Sequence, residues 1–298
     1  MELEYTFYPG CALEASSAHY GDSVDAVCDR LGVKLHELED WNCCGATAYL
    51  SVRELESFAL AARNLALAEP LGRDLVTVCS GCYVTLNKAS EFLREASGEA
   101  RQRIIDALNS AGLTYRGTIR TRHLLDVMFN DVGLGAITEA VSNPLSELKV
   151  ACYYGCQIVR PFTDFDNPEV PSTLDSLTKA LGAQVVEWPG RVTCCGGMIM
   201  STQPPVSERL VGTILDHALR AGADCIVTVC PLCYVNLEAY QDRASQAIGK
   251  TLYIPVLFFT QLMGLAMGMS PKQLGMHRAL VDPSKVVQLA TKKVGVGA

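Results

Sequence analysis

At 298 residues and 49% hydrophobic composition, the chain is long enough to bury a sizeable core and to form two domains. A formal net charge of −7 argues against unaided nucleic-acid binding, which needs a basic patch. The opening MELEYTFYPG lacks the apolar stretch of an export signal, and IPVLFFTQLMGLAMGM at 254–269 is too short and too interrupted by glycine for a membrane span, so a cytoplasmic protein is expected.

In chain order, EYTFY reads as a strand, residues 17–31 as a helix stopped at Gly32, and VKLHELE as a second strand. Residues 53–69 carry apolar side chains at helical spacing, DLVTVCS is a short buried strand, and a helix opens at Cys82. GLGAITEA at 133–140 lacks the third glycine of a dinucleotide fingerprint and is expected to cap a turn. NPLSEL at 143–148 reads as the end of a linker, dividing a domain at 1–145 from one at 146–298. The second half repeats the plan: KVACYY as a strand, a helix near 173–181 ending at Gly182, AQVVEWP as a strand, a helix near 207–221, DCIVTVC as a strand and a helix from Cys233. The segment 254–269 reads as a buried strand or helix, or as a contact between subunits. Strands alternating with helices of this length predict two similar tandem α/β domains with mainly parallel sheets.

The repeat is sharpest in its cysteines. The first half has Cys11, thirty-one residues, Cys43-Cys44, thirty-four residues, then Cys79-x-x-Cys82; the second has Cys156, thirty-seven residues, Cys194-Cys195, thirty-four residues, then Cys230-x-x-Cys233. VTVCSGCYVTLN matches VTVCPLCYVNLE, and CCGAT matches CCGGM. Thirteen cysteines without a secretion signal are expected to be reduced, and clustered ones to serve as metal ligands or catalytic groups. Cys11 and Cys156 follow the first strand of each half, and Cys79 and Cys230 end another, so all should gather at the carboxyl edge of a sheet.

A vicinal disulfide in the Cys-Cys pairs is strained, because adjacent Cα atoms lie about 3.8 Å apart against the ~4.4–6.8 Å of bridged cysteines. A thioredoxin-like site explains only Cys-x-x-Cys. Tetrahedral zinc and a cubane iron–sulfur cluster each take four cysteines, one fewer than each half offers. Spacing alone therefore points to a multi-iron or zinc site in each half, and five donors suit a polynuclear centre more open than a cube.

The two complete motifs, C-x31-CCG-x33-CSGC and C-x37-CCG-x33-CPLC, resemble the cysteine-rich CCG domain. Almost end to end the chain is similar to the B subunit of heterodisulfide reductase and the related subunits of sulfur oxidisers, with FYPGC, CPLCYVNLEAYQ and IPVLFFTQLMGLAMGM in matching places. The resemblance implies two non-cubane [4Fe-4S] clusters flanking a cavity where a disulfide is reduced. One would be held by Cys11, Cys43, Cys44, Cys79 and Cys82, the other by Cys156, Cys194, Cys195, Cys230 and Cys233, with Cys44 and Cys195 carrying the chemistry through their clusters. It also implies a partner similar to the cubane-bearing C subunit of that family, a flavoprotein similar to its A subunit beyond, and a small disulfide, thiol or sulfur-carrier substrate, the direction of turnover left open. Two other classes stay in view. One is an electron-transfer subunit of a dehydrogenase or quinone-linked complex without substrate chemistry, although such chains often carry cubane motifs that this one lacks. The other is a structural zinc protein.

Cys28, Cys152 and Cys225 fall outside the repeat and read as buried small hydrophobes. His19 lies near Cys11, where a proton donor to a departing thiolate would serve, but a core or solvated histidine is the plainer reading. The other histidines, His36, His123, His217 and His277, show no metal-ligand spacing. Lys88, Arg160 and Arg191 lie near the motifs, where they would attract an anionic substrate; surface charge is the plainer reading of each.

Overall fold

Leu3–Tyr8 forms the first strand, β1, whose last four residues are buried. This computed structural model describes residues 2–46 and 48–291. After β1 come α1 (Cys11–Glu14), α2 (Ala18–Leu31), β2 (Val33–Glu37), α3 (Ala48–Val52), α4 (Glu54–Ala68), β3 (Leu75–Thr77), α5 (Ser80–Glu95), α6 (Glu99–Ser110) and β4 (Thr121–His123). A short α7 (Leu124–Asp126) widens into a π-helical turn at Val127–Gly133 and continues as α8 (Leu134–Ala140). The second series is β5 (Lys149–Tyr153), α9 (Thr173–Ala180), β6 (Gln184–Val185), α10 (Pro204–Arg220), β7 (Cys225–Thr228), α11 (Pro231–Ala239), α12 (Gln241–Ile248), β8 (Val256–Phe258), α13 (Phe259–Ala266) and α14 (Ser284–Thr291).

These strands make two parallel four-stranded sheets of the same order, β2-β1-β3-β4 and β6-β5-β7-β8, as an α/β reading requires. Of the four inner strands, β3 and β7 are wholly buried, which is why they are short apolar runs without alternation. The halves pack reciprocally: α2 of the first lies on α13 of the second, and α9 of the second on α7 and α8 of the first. Ser23 and Thr260 share a buried 2.6 Å hydrogen bond across the α2–α13 contact, and Tyr20 stacks on Phe258 at 3.7 Å. No helix among the described residues is long and apolar enough to cross a membrane.

Four expectations shift. The helices after the Cys-x-x-Cys motifs open at Ser80 and Pro231, earlier than Cys82 and Cys233, with Cys79 and Cys230 as extended N-caps. AQVVEWP keeps only Gln184–Val185 as strand, because Trp188 turns inward and its indole N–H donates to the Cys152 carbonyl of β5 at 3.1 Å, where a longer strand would have paired. GLGAITEA is not a turn: residues 134–140 are helical, and Gly133 precedes them at φ 81°. The segment 254–269 is both readings at once, β8 followed by α13, and all of α13 is buried.

Candidate metal centre

In each sheet the direction of strand succession reverses beside the first strand, between β1 and β3 and between β5 and β7. Such a reversal opens a crevice at the carboxyl ends, where ligands of open parallel sheets sit. Cys11 follows β1 and Cys79 follows β3; Cys156 follows β5 and Cys230 follows β7. The crossover loops after β2 and β6 bring Cys43-Cys44 and Cys194-Cys195 to the same edges.

The sulfurs of the first set run as a connected chain. Cys11 and Cys43 Sγ lie 3.9 Å apart and Cys44 and Cys82 Sγ 3.3 Å apart, while Cys44 acts on the ionisation of Cys43 and Cys82 on that of Cys79. The second set follows the same plan, with Cys195 Sγ 3.5 Å from Cys233 Sγ, Cys194 pushing the Cys156 thiol up, and Cys195 and then Cys230 pushing up Cys233. The two sets approach each other at Cys79 and Cys230: Cys230 is the first cause that pushes the Cys79 thiol up, and Cys79, after Cys233, helps hold Cys230 down. Among the described residues, no three Cys, His, Asp or Glu side chains group tightly enough to hold a single metal ion. The thiols are strung out in the way of donors to different atoms of a larger inorganic core.

The surroundings fit such a core. Gly10 and Gly155, both at positive φ, bring backbone so close that an added Cβ would stand 3.2 Å from the sulfurs of Cys82 and Cys233. Backbone N–H groups of Gly45 and Gly196 point at Cys43 and Cys194 at 3.5 and 3.3 Å. The neighbouring thiols Cys11 and Cys156, with those N–H groups, hold Cys43 well below the usual thiol range and Cys194 down at about 6. Cys230 is also held low, first by Cys233, then by Cys79, and by the N–H groups of Leu232 and Cys233 at the start of α11. Five thiols supported by amide dipoles are chemically suited to hold an iron–sulfur cluster.

A matched scaffold, missed in the sequence, holds the CCG loops. Tyr8 donates to the Asn42 carbonyl at 2.8 Å and Tyr153 to the Thr193 carbonyl at 2.6 Å, so a tyrosine three residues before each first cysteine anchors the residue before each pair. Ser57 and Ser207 donate to the carbonyls of Gly45 and Gly196 at 3.1 and 3.0 Å. Asn64 adds two bonds to the Asn42 backbone, and Asn236 donates to the Cys195 carbonyl. Aligning the two halves would have exposed the tyrosines, which share their spacing to the first cysteine. The serines differ by one residue in spacing and hide in helical runs.

Cys11 and Cys43 open onto a cavity of about 570 Å³ that Glu14, Glu37, Glu39 and Asp40 also line. Cys194 is likewise exposed, while Cys44, Cys79, Cys82, Cys195, Cys230 and Cys233 are buried. Cys28, Cys152 and Cys225 are buried away from both sets. Arg191 is buried and paired with Asp175, which also accepts from Tyr154. Arg160 pairs with Glu169 at 2.7 Å, so both arginines serve the scaffold. His19 is buried against Tyr234 rather than aimed at a thiol.

Comparison with known proteins agrees with this arrangement. The cysteine-rich domain model CCG matches residues 5–87 and 150–238. The chain is 36% identical to the 8-methylmenaquinol:fumarate reductase membrane anchor subunit of Wolinella succinogenes, over 96% of this chain and 100% of that protein. It is 35% identical to the B subunit of the ferredoxin:CoB-CoM heterodisulfide reductase of Methanosarcina mazei, over 85% of each. With a protein of Archaeoglobus profundus described as like the heterodisulfide reductase B subunit it shares 31% identity, over 91% of this chain and 93% of that one. A crystal structure of a hypothetical protein from Helicobacter pylori overlays with a TM-score of 0.74 at 15% identity, covering 94% of this chain and 52% of that one, a likeness of fold alone.

Proposed function

Because the chain belongs to the tandem CCG cysteine-rich-domain family that includes the heterodisulfide reductase B subunit, we propose that it is the disulfide-handling iron–sulfur subunit of a larger oxidoreductase complex. The observation that carries this reading is the gathering of five cysteines at the carboxyl edge of each sheet, with Cys11 3.9 Å from Cys43, Cys44 3.3 Å from Cys82 and Cys195 3.5 Å from Cys233. In the proposal Cys11, Cys43, Cys44, Cys79 and Cys82 hold one non-cubane [4Fe-4S] cluster, and Cys156, Cys194, Cys195, Cys230 and Cys233 hold the other. When bound, such clusters supply the two electrons that, with two protons, convert R–S–S–R′ into two thiols, or accept them in reverse.

The protein's own part is placement. Tyr8 and Tyr153 fix the CCG loops, and burial of Cys44 and Cys195 keeps water from the inner sulfurs. The acidic mouth at Cys11 and Cys43 disfavours an anionic substrate there. It suits the basic face of an electron-donating partner similar to the family's C subunit, with a flavoprotein similar to its A subunit beyond. Thirteen free thiols suit the reducing cytoplasm.

One observation favours a second reading. The full-length similarity to a fumarate reductase membrane anchor subunit suits an electron relay that carries out no disulfide chemistry.

Protein purified without oxygen is expected to hold about eight irons with matching acid-labile sulfide, and one or two zincs instead would end both readings. Disulfide turnover with reduced viologen is expected to vanish in Cys44→Ala and Cys195→Ala. Unchanged turnover in those variants overturns the disulfide assignment. An EPR signal that appears only when a thiol is added to the oxidised protein separates chemistry at the cluster from relay, which gives none.

A further inference from the structure

The two halves differ at the residue that ends the fourth strand, His123 in β4 and Phe258 in β8. Each ring sits against the tyrosine that follows a Cys-x-x-Cys motif: His123 lies edge-on to Tyr83 at 6.4 Å, and Phe258 stacks on Tyr234 at 4.2 Å. Phe258 also stacks on Tyr20 and lies 5.5 Å from the His19 ring, so its side chain meets the other half through ring faces and not through hydrogen bonds. His123 makes polar ones. Its Nδ1 accepts from the Leu125 N–H at 3.1 Å, which places the ring proton on Nε2. Nε2 then donates to the Val229 carbonyl of the other half at 3.0 Å, and Val78 follows Thr77, the residue with which His123 pairs in the sheet. Val229 immediately precedes Cys230, and Val78 immediately precedes Cys79. One imidazole, 1% exposed, thus sits where the two facing cysteines leave their strands. It is a directional tie between the halves at the point where the two cysteine sets approach each other. With Nδ1 already accepting and the ring buried, the neutral tautomer is the form that serves.

We propose that His123 is the positioning residue that sets the spacing between the two cysteine sites: its hold on the Val229 carbonyl keeps Cys230 against Cys79, so that the two centres act as one electronically coupled pair. The coupling rests on the two-cluster reading above; the clamp does not. A phenylalanine in its place, which the other half uses, fills the space and leaves the Val229 carbonyl without its donor.

The test uses the full chain as wild type, His123→Phe and His123→Gln, the last keeping a side-chain N–H; His123→Met, with Gln's length and no donor, stands in should Phe not fold. In the reduced, iron-loaded protein the EPR spectrum of wild type and Gln is expected to show interaction between two centres. The apolar variant is expected to show the sum of two isolated centres at unchanged iron content. An apolar variant that keeps the interaction overturns the proposal, and so does an iron-loaded wild type that lacks it. Should the chain hold no iron, the two-cluster reading falls by itself and the clamp is read on metal-free protein. There diamide takes two electrons and two protons from the Cys79 and Cys230 thiols, forming a disulfide mapped by mass spectrometry. That disulfide is expected to form about tenfold more slowly in the apolar variant than in wild type and Gln, the factor set by one lost hydrogen bond of about 1.4 kcal/mol. Equal rates overturn the proposal.

Discussion

His19 is 5% exposed, its ring 5.0 Å from that of Tyr234, and its Nε2 has no hydrogen-bond partner. Burial first, then the nearby Arg278, lowers its pKa from 6.5 to about 4, so the folded protein holds it neutral. The unfolded chain takes up this proton near pH 6.5, the folded chain only near 4. Stability from His19 is therefore full above pH 6.5, falls as the pH drops towards 4, and is constant below that. His19→Phe is expected to remove roughly 1 kcal/mol per pH unit from the slope of unfolding free energy across this window. Urea titrations at pH 7, 6 and 5 measure it, and parallel lines for variant and wild type would show that the imidazole is not held neutral. The same burial explains why sequence proximity to Cys11 misleads about this side chain. The chain turns after α1 and carries His19 onto α11 of the other half, a contact that local spacing does not encode.

Gly45 sits at φ 78° in the loop that presents Cys43 and Cys44, and an added Cβ there would stand 2.7 Å from Ser57 Oγ. Gly32, which ends α2 at φ 68°, has nothing within 4 Å of the same position. Gly32→Ala is expected to cost about 1 kcal/mol, the conformational term alone. Gly45→Ala should cost more, and in a Ser57→Ala background, which has already lost the hydroxyl's bond to the Gly45 carbonyl, its added cost should fall to the shared part. Equal losses at the two glycines would mean that the serine does not press on the loop. The CCG loops were legible in the sequence because adjacent cysteines and a glycine repeat at matching spacing in both halves. The helices were legible because 17–31 and 53–69 hold their apolar period over several turns. β4 was not, since three residues cannot show a period, and β8 could be read only as strand or helix; the strand character of both comes from pairing with β3 and β7. Nor was the early end of β6, which depends on the Trp188 indole reaching the Cys152 carbonyl. His123 showed no metal-ligand spacing because its partners are backbone groups, the Leu125 N–H and the Val229 carbonyl 106 residues away.

The reciprocal packing of α2 on α13 and α9 on α7 and α8 makes the stability of each sheet depend on the other. Phe258 is the centre of one such contact, fully buried and stacked between Tyr20 of the first half and Tyr234 of the second. Truncating it to alanine removes a buried ring and is expected to cost about 3–5 kcal/mol. The chain carries two tryptophans, Trp41 beside Tyr8 in the first half and Trp188 beside Tyr153 in the second, so each sheet has its own fluorescent reporter. In Trp41→Phe and Trp188→Phe backgrounds the remaining tryptophan is expected to report the same urea midpoint, and Phe258→Ala to move both midpoints together. Independent halves would behave otherwise: Phe258→Ala would lower the Trp188 midpoint and leave the Trp41 midpoint in place. Coincident movement means that the inter-half surface carries a share of the stability comparable to either sheet. A tie such as His123 to Val229 can hold two thiols in register only within a unit that opens as a whole.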